Sequence, residues 1–211
     1  VEVADENANW YNENVVYPFG AGQSYSDFSW EIEDVRTIQG SAITGNERVK
    51  VDVKVTNNGN YAGKDVVQLY YTAPYSETSN LEKSHVVLGD FAKTDVLAPG
   101  QSETVTLTLQ LRDMASYDVT ANSDKGAYVL EAGDYYIKLQ TDSHNLKEGV
   151  EQLPALNLSE DIIITESDQT GKEIHNAFDY DFKGLGAKDD RAQHAGAGDF
   201  TELSRDAMKA D

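Results

Sequence analysis

Cysteine is absent from this chain of 211 residues, so disulfide bonds and thiolate metal sites are excluded. No apolar run approaches the roughly 20 residues that cross a bilayer, and no basic-then-apolar leader opens the sequence. Basic residues are scarce: 17 lysines and arginines stand against 37 acidic residues, which gives a formal net charge of -20. Such a charge repels phosphate backbones and anionic lipid surfaces, and therefore argues against nucleic acid and membrane partners.

These absences do not determine the cellular location of the protein, because a cysteine-free chain fits either a cytoplasmic or a secreted bacterial protein. The first residue is Val1 rather than methionine, and we expect a fragment of a longer polypeptide. We interpret the acidic excess as a solvated surface. A calcium-binding role would call for an Asp-x-Asp-x-Asp-Gly loop, and the sequence has none.

Alternation of apolar and polar residues predicts an all-β domain between about residues 28 and 139. Valines alternate with polar residues over 49–56, which is the pattern of a strand with one buried face. The mixed apolar stretch at 65–72 predicts a strand that is covered on both faces. Further strands are predicted at 28–33, 86–91, 104–111, 135–139 and 162–164.

Turn signals separate these strands. They include Asn57-Asn58-Gly59-Asn60, the Pro99-Gly100 corner and a break in alternation at 112–117, where we expect a short helical or irregular corner. About seven short strands with such turns predict an immunoglobulin-like β-sandwich. Apart from the strand at 162–164, residues 143–211 are expected to bury too little apolar surface to order themselves without a neighbouring domain.

No catalytic motif is present. The four histidines are isolated in the sequence, and the HExxH motif, the Gly-x-Ser-x-Gly elbow and the phosphate loop are absent. Paired carboxylates carry no specificity when 37 acids are present. Exposed tyrosines could form a sugar-stacking platform, although packing in the core and between domains is the interpretation we favour. The candidates are Tyr70, Tyr71, Tyr75, Tyr135 and Tyr136.

The most informative segment runs from Tyr17 to Tyr25 and reads Tyr-Pro-Phe-Gly-Ala-Gly-Gln-Ser-Tyr. Two glycines permit positive φ and close backbone approach, and Pro18 fixes its own φ, so the segment predicts an entry turn that delivers aromatic side chains to the edge of the β-structure. Other motifs follow in order. They are Trp10-Tyr11-Asn12-Glu13-Asn14 ahead of this turn, then Val55-Thr56-Asn57-x-Gly59, Ala62-Gly63-Lys64-Asp65-Val66-Val67-Gln68-Leu69-Tyr70, Gly89-Asp90-Phe91, Leu97-x-Pro99-Gly100, Ala115-Ser116-Tyr117-Asp118 and Ala132-Gly133-Asp134-Tyr135.

Taken together, these motifs resemble the fibronectin type III-like domain of family 3 glycoside hydrolases, the β-glucosidase family. The resemblance implies a fibronectin type III-like sandwich that is the non-catalytic part of a retaining enzyme acting on terminal β-linked glucosyl or xylosyl residues. It implies that the intact parent is active and this fragment is inactive, with no catalytic residue, cofactor or metal ligand of its own. Ser26-Asp27-Phe28 departs from the Ser-Asp-Trp nucleophile motif of the family's barrel, so Asp27 receives no catalytic role.

The resemblance also implies how the chain is organised. Asn176-x-Phe178 and Leu203-Ser204-Arg205 look like the segment that leads into the barrel in the subgroup with reversed domain order. We therefore expect a lead-in from a preceding α/β domain at 1–24, the sandwich at 25–142, an additional strand or extension at 143–170, and a linker toward a following barrel at 171–211.

The expected partners are the α/β and barrel domains of the same parent chain, with β-linked glycosides as the parent's substrate. The candidates for packing between domains are the aromatic residues Trp10, Tyr11, Tyr17, Phe19, Tyr25 and Phe178. The alternative is an independent carbohydrate-binding or surface-adhesion module built on the same sandwich.

Overall fold

The structure is a computed structural model that describes residues 14–36, 43–75, 81, 83–150, 153 and 155–176. These residues form ten β-strands and a 3₁₀ helix. The strands are β1 Phe28–Arg36, β2 Arg48–Asn57, β3 Val66–Thr72, β4 Val87–Lys93, β5 Ser102–Gln110, β6 Ser116–Asp118, β7 Ala127–Leu130, β8 Gly133–Gln140, β9 Leu156–Leu158 and β10 Ile162–Ile164; the 3₁₀ helix is Leu111–Met114, and Ala121–Asp124 forms a single helical turn. None of the helical segments in these ranges has the length and apolar character needed to cross a membrane.

The strands pair antiparallel in three sheets. The first sheet has the order β1-β2-β5, the second β4-β3-β8-β9, and a small third sheet β10-β7-β6. The first two sheets are joined at one side of the sandwich, where the carboxylate of Asp90 on β4 accepts a hydrogen bond from the backbone N–H of Thr108 on β5 at 2.6 Å. The all-β sandwich predicted from the sequence is therefore confirmed.

The core lies between the inner faces of the first two sheets. The valines of β2 are fully buried, and the alternating leucines of β5 pack beside them. From the second sheet, β3 and β8 contribute their own alternating apolar residues. A side-chain period of two places every second residue of a strand on one face, so these sequences direct one face of each sheet inward. The buried set includes Val49, Val51, Val53, Val55, Val67, Leu69, Leu107, Leu109, Ile137 and Leu139.

Three strands escaped the sequence-based prediction: β6, β7 and β9. The predicted corner at 112–117 is a 3₁₀ helix over its first residues, but it then continues into β6. The expectation that residues 143–211 bury too little to order themselves is wrong for their described part. Leu153, Leu156, Leu158 and Ile164 belong to the same core cluster as the valines of β2.

Strand β3 is covered on both of its faces, as its mixed apolar sequence predicts. Val67, Leu69 and Tyr71 face the core between the sheets. Gln68 and Tyr70 point the other way and are nevertheless buried. What covers them is the segment that precedes β1, residues 14–27, called here the entry segment.

Candidate functional site

The entry segment is fastened to the outer face of the second sheet by one buried side chain. The amide nitrogen of Gln68 donates to the backbone carbonyl of Gly20 at 2.9 Å and to that of Thr141 at 2.8 Å. Its amide oxygen accepts a hydrogen bond from the Tyr70 hydroxyl at 2.8 Å. The N–H of Ser143 adds a further bond to the carbonyl of Phe19 at 2.9 Å. Because buried polar groups are costly when unpaired, this closed set of bonds fixes the position of the entry segment.

Gly20 allows this close approach. Its φ is +83°, a conformation that residues with a Cβ rarely adopt, and an added Cβ would collide with the amide oxygen of Gln68 and lie 2.8 Å from the Tyr70 hydroxyl. Gly22 meets no such constraint, since its φ is not positive and its added Cβ would contact nothing within 4 Å. Of the two glycines in the predicted turn, the structure therefore requires Gly20 and does not require Gly22.

A second anchor holds the end of the entry segment against the turn after β2. Asn57 is fully buried, and its amide oxygen accepts hydrogen bonds from the Ser26 hydroxyl at 2.7 Å and the N–H of Gly59 at 3.0 Å. Its amide nitrogen donates to the carbonyls of Tyr61 and Leu97, both at 2.8 Å. The Asn-Asn-Gly turn thus serves to clamp the chain just before β1.

A third contact links β1 to the start of β3. The indole N–H of Trp30 donates to the carboxylate of Asp65 at 2.7 Å. The ammonium of Lys147 lies 4.9 Å from the centre of the Trp30 ring and donates to the carbonyl of Phe28 at 2.7 Å. Trp30 is 6% exposed and belongs to the core cluster, so little of its ring is available to a ligand in solution.

Between the entry segment and β4 lies a groove of about 640 Å³. Two phenyl rings stand at its rim, Phe19 at 67% and Phe91 at 62% exposed. Three lysines also line it: Lys64, Lys93 and Lys147. The polar side chains at its floor, Gln68 and Asp65, already hold the hydrogen bonds described above. A bound molecule would therefore meet two exposed rings and three lysines, together with the polar side chains of Gln23 and Ser24.

The predicted packing residues that the structure describes all belong to the entry segment. Tyr17 is 66% exposed, Phe19 67% and Tyr25 97%. Trp10, Tyr11 and Phe178 lie outside the described residues. Two further aromatic residues that were not among the predicted packing residues, Phe91 and Tyr61, are similarly exposed, and Phe91 lines the same groove as Phe19. The signal for Phe91 was its place in a strand interrupted by a glycine, where the apolar face could not be assigned by alternation alone.

The suggested tyrosine platform is mostly core. Tyr70, Tyr71 and Tyr135 are buried, and their hydroxyls donate to Gln68, to the carbonyl of Asp113 and to the carbonyl of Glu131. Burial raises the pKa of each of these three phenols. Tyr136 is half-exposed and Tyr75 is intermediate. The core interpretation is confirmed for the three buried tyrosines, which cannot stack on a sugar.

Ionisable groups do not assemble into a metal-binding cluster within the described ranges. Asp27 is exposed at the end of the entry segment, where its backbone carbonyl accepts a hydrogen bond from the N–H of Asn58.

Two histidines that are distant in sequence, His85 and His144, line one small pocket of about 230 Å³ together with Lys138. No local pattern in the sequence predicts that proximity, which depends on the loop after β8 lying beside the start of β4.

Comparison with known proteins places this geometry in a family. A family model described as a fibronectin type III-like domain matches residues 65–143, from just before β3 to just after β8. The chain is 43% identical over 139 residues to β-glucosidase A of Butyrivibrio fibrisolvens, covering 61% of this chain and 16% of that protein. Residues 65–143 therefore match a fibronectin type III-like domain, and the chain is similar to one part of β-glucosidases.

Solved structures agree with this assignment. The chain superposes on a β-glucosidase from Paenibacillus barengoltzii with a TM-score of 0.62 and 37% identity, covering 72% of this chain and 16% of that one. A GH3 β-glucosidase from Bifidobacterium adolescentis gives a TM-score of 0.54 and 26% identity, covering 70% of this chain and 19% of that one. The resemblance drawn from the sequence motifs is confirmed. This chain spans about one sixth of the length of the relatives it matches.

Proposed function

We propose that this fibronectin type III-like domain is a non-catalytic scaffold that positions the two catalytic domains of a β-glucosidase-like enzyme. The parent would be a retaining hydrolase of terminal β-linked glucosyl or xylosyl residues. In this proposal residues 1–24 come from a preceding α/β domain and residues 171–211 lead toward a following barrel. The sandwich between them supplies a rigid spacer.

The observation that carries the proposal is the entry segment. Its backbone is held by the buried side chains of Gln68 and Asn57, while its rings at Tyr17, Phe19 and Tyr25 point into solvent. Exposed rings on a fixed backbone are suited to burial against another surface, because little conformational entropy is lost on docking. Burying one such ring contributes about 1.5 to 3 kcal/mol. Rigid placement matters for a hydrolase, since small displacements of catalytic groups are costly in rate.

The test uses the full-length parent carrying three substitutions together, Tyr17→Ser, Phe19→Ser and Tyr25→Ser. We expect kcat/KM on an aryl β-glucoside to fall by roughly tenfold or more, because the catalytic domains lose their fixed relative placement. Tyr136→Ser is the matched control, since it removes a half-exposed ring from a different part of the sandwich. Unchanged activity and unchanged thermal unfolding in the triple variant would contradict the proposal.

The isolated chain offers a second test. We expect no hydrolysis of aryl β-glucosides by the purified chain, and activity that disappears when a single carboxylate is changed would overturn the scaffold assignment. An independent carbohydrate-binding module would instead give heat on titration with β-glucans. The buried ring of Trp30 and the buried tyrosines of the supposed platform speak against that alternative.

A further inference from the structure

The groove between the entry segment and β4 has a chemical character that the scaffold role alone does not explain. The chain carries 37 acidic residues and only 17 lysines and arginines, yet three lysines meet at this groove. The acids that line it are Asp27 and Asp65, and the carboxylate of Asp65 accepts hydrogen bonds from Trp30 and from its own neighbour Val66. With three lysines against two aspartates, the groove has a small positive excess on a strongly negative molecule.

Its rim on β4 has a defined spacing. Phe91 and Lys93 are both exposed and both line the groove, whereas Ala92 between them packs toward the core. Residues two apart on a strand share a face and lie about 7 Å from one another. Lys93 forms no ion pair with any residue that the structure describes. Lys64, on the adjoining loop, is 3.7 Å from Asp95, and both side chains are so exposed that this pair contributes little.

We infer that this groove receives an extended acidic segment of a neighbouring domain, in which an apolar side chain and a carboxylate stand two residues apart. The apolar side chain would lie against the rings of Phe91 and Phe19, and the carboxylate would meet the ammonium of Lys93. This inference rests on the proposed function, because the segment belongs to a domain that the scaffold holds. Gln68 and Asp65 already use their hydrogen-bonding atoms within the domain, so these two side chains offer little to a glycan.

Charge complementarity selects this occupant over a second copy of the chain. Two copies, each with a formal charge of -20, repel one another as whole molecules. A segment tethered in the same polypeptide reaches the groove at a high effective concentration and needs only local attraction. Lysine and carboxylate at such a rim set the register of docking more than its total free energy.

The experiment compares the intact parent with the isolated chain by hydroxyl-radical footprinting, which reads the solvent exposure of individual side chains. In the parent we expect the labelling rates of Phe91 and Tyr25 both to fall by about tenfold, which corresponds to about 1.4 kcal/mol of protection. A zero-length carbodiimide cross-link is expected between Lys93 and an aspartate or glutamate of the neighbouring domain. Lys93→Glu should abolish that cross-link and raise the labelling of Phe91, whereas Lys172→Glu, an exposed charge reversal elsewhere, should change neither.

The outcomes separate the two proposals. If Tyr25 is protected in the parent but Phe91 is not, the domain docks through the entry segment alone and the groove inference is overturned. If Phe91 is protected while Lys93 forms no cross-link to a carboxylate, the occupant is not acidic and the inference also falls. Protection of Phe91 in the isolated chain, either on raising its concentration or on adding cello-oligosaccharides, would identify a second copy or a glycan instead. Failure of both residues to be protected would remove the scaffold proposal as well.

Discussion

At Gly20 the backbone has a φ of +83°, and the amide of Gln68 lies directly against its Cα. Gly20→Ala would place a methyl group in that space and force an unfavourable backbone conformation, so we expect the free energy of unfolding to fall by about 1 to 2 kcal/mol. Gly22→Ala is the control, because its Cβ meets no atom and its stability should change by less than about 0.5 kcal/mol. Urea unfolding of both variants measures these free energies. Equal losses of stability at the two positions would contradict the explanation given for Gly20.

Asn57 is the other residue on which the entry segment depends. Asn57→Ala would remove the acceptor of the Ser26 hydroxyl and of the Gly59 N–H, and the donor to the Tyr61 carbonyl; the Leu97 carbonyl would keep only the N–H of Gly63. Buried groups deprived of a hydrogen bond are expensive, so we expect a loss of about 2 to 4 kcal/mol in the free energy of unfolding. Asn58→Ala is the comparison, since Asn58 is exposed and bonds to Asp27 through its backbone only. If Asn57→Ala and Asn58→Ala have the same free energy of unfolding, the hydrogen bonds of the Asn57 side chain do not stabilise the fold.

Among the elements, the three strands of the first sheet are linked by side-chain hydrogen bonds on its outer face. The carboxylate of Asp52 on β2 accepts a hydrogen bond from the Thr106 hydroxyl on β5 and another from Arg36 on β1, both at 2.6 Å. The Thr106 bond, followed by the contact with Arg36, lowers the pKa of Asp52 below its ordinary value. A carboxyl group whose pKa is lower in the folded protein stabilises it above the unfolded pKa and loses that contribution as the pH falls.

We therefore expect Asp52→Asn to lower the thermal midpoint at pH 7 and to lose that disadvantage progressively as the pH falls from about 4, where the unfolded chain takes up the proton, through the lower pKa of Asp52 in the folded protein. The measurement is the difference between the two melting temperatures across pH 2 to 7. Glu148→Gln, a substitution at an exposed position after β8, is measured in parallel as the reference. A pH-independent difference for the Asp52 variant would mean that its effect is not electrostatic.

The long strands were predictable because alternation persists over many residues, as in the valines of β2. Strands β6, β7 and β9 contain only three or four residues, too few for a period of two to stand out. The apolar run of β3 predicted that Gln68 and Tyr70 would be buried, but it did not predict which segment of the chain buries them. That cover depends on contacts between Gln68 and residues 48 and 73 positions away, which no local pattern encodes.

On the scale of the whole molecule, the folding unit extends beyond the strands that alternation predicts, because later residues are buried in the same core. Leu156 and Leu158 on β9 and Ile164 on β10 are buried in the same cluster as the valines of β2. Removing them would expose the apolar surface that they cover and leave one edge of β8 unpaired, while its other edge stays paired with β3. Large-to-small changes at single core leucines already cost about 2 to 5 kcal/mol, and marginal domains hold only about 5 to 15 kcal/mol in total.

This argument predicts different outcomes for two truncations. A chain ending at residue 150 loses β9 and β10, and we expect it to be unfolded or to melt far below the full chain. A chain ending at residue 176 keeps all ten strands, and its melting temperature should lie within a few degrees of the full-length value. Circular dichroism and calorimetry on the three chains make the comparison. A cooperative transition at an unchanged temperature in the 1–150 chain would show that β9 and β10 decorate the sandwich without stabilising it, and the core would then have to be redrawn around the first eight strands.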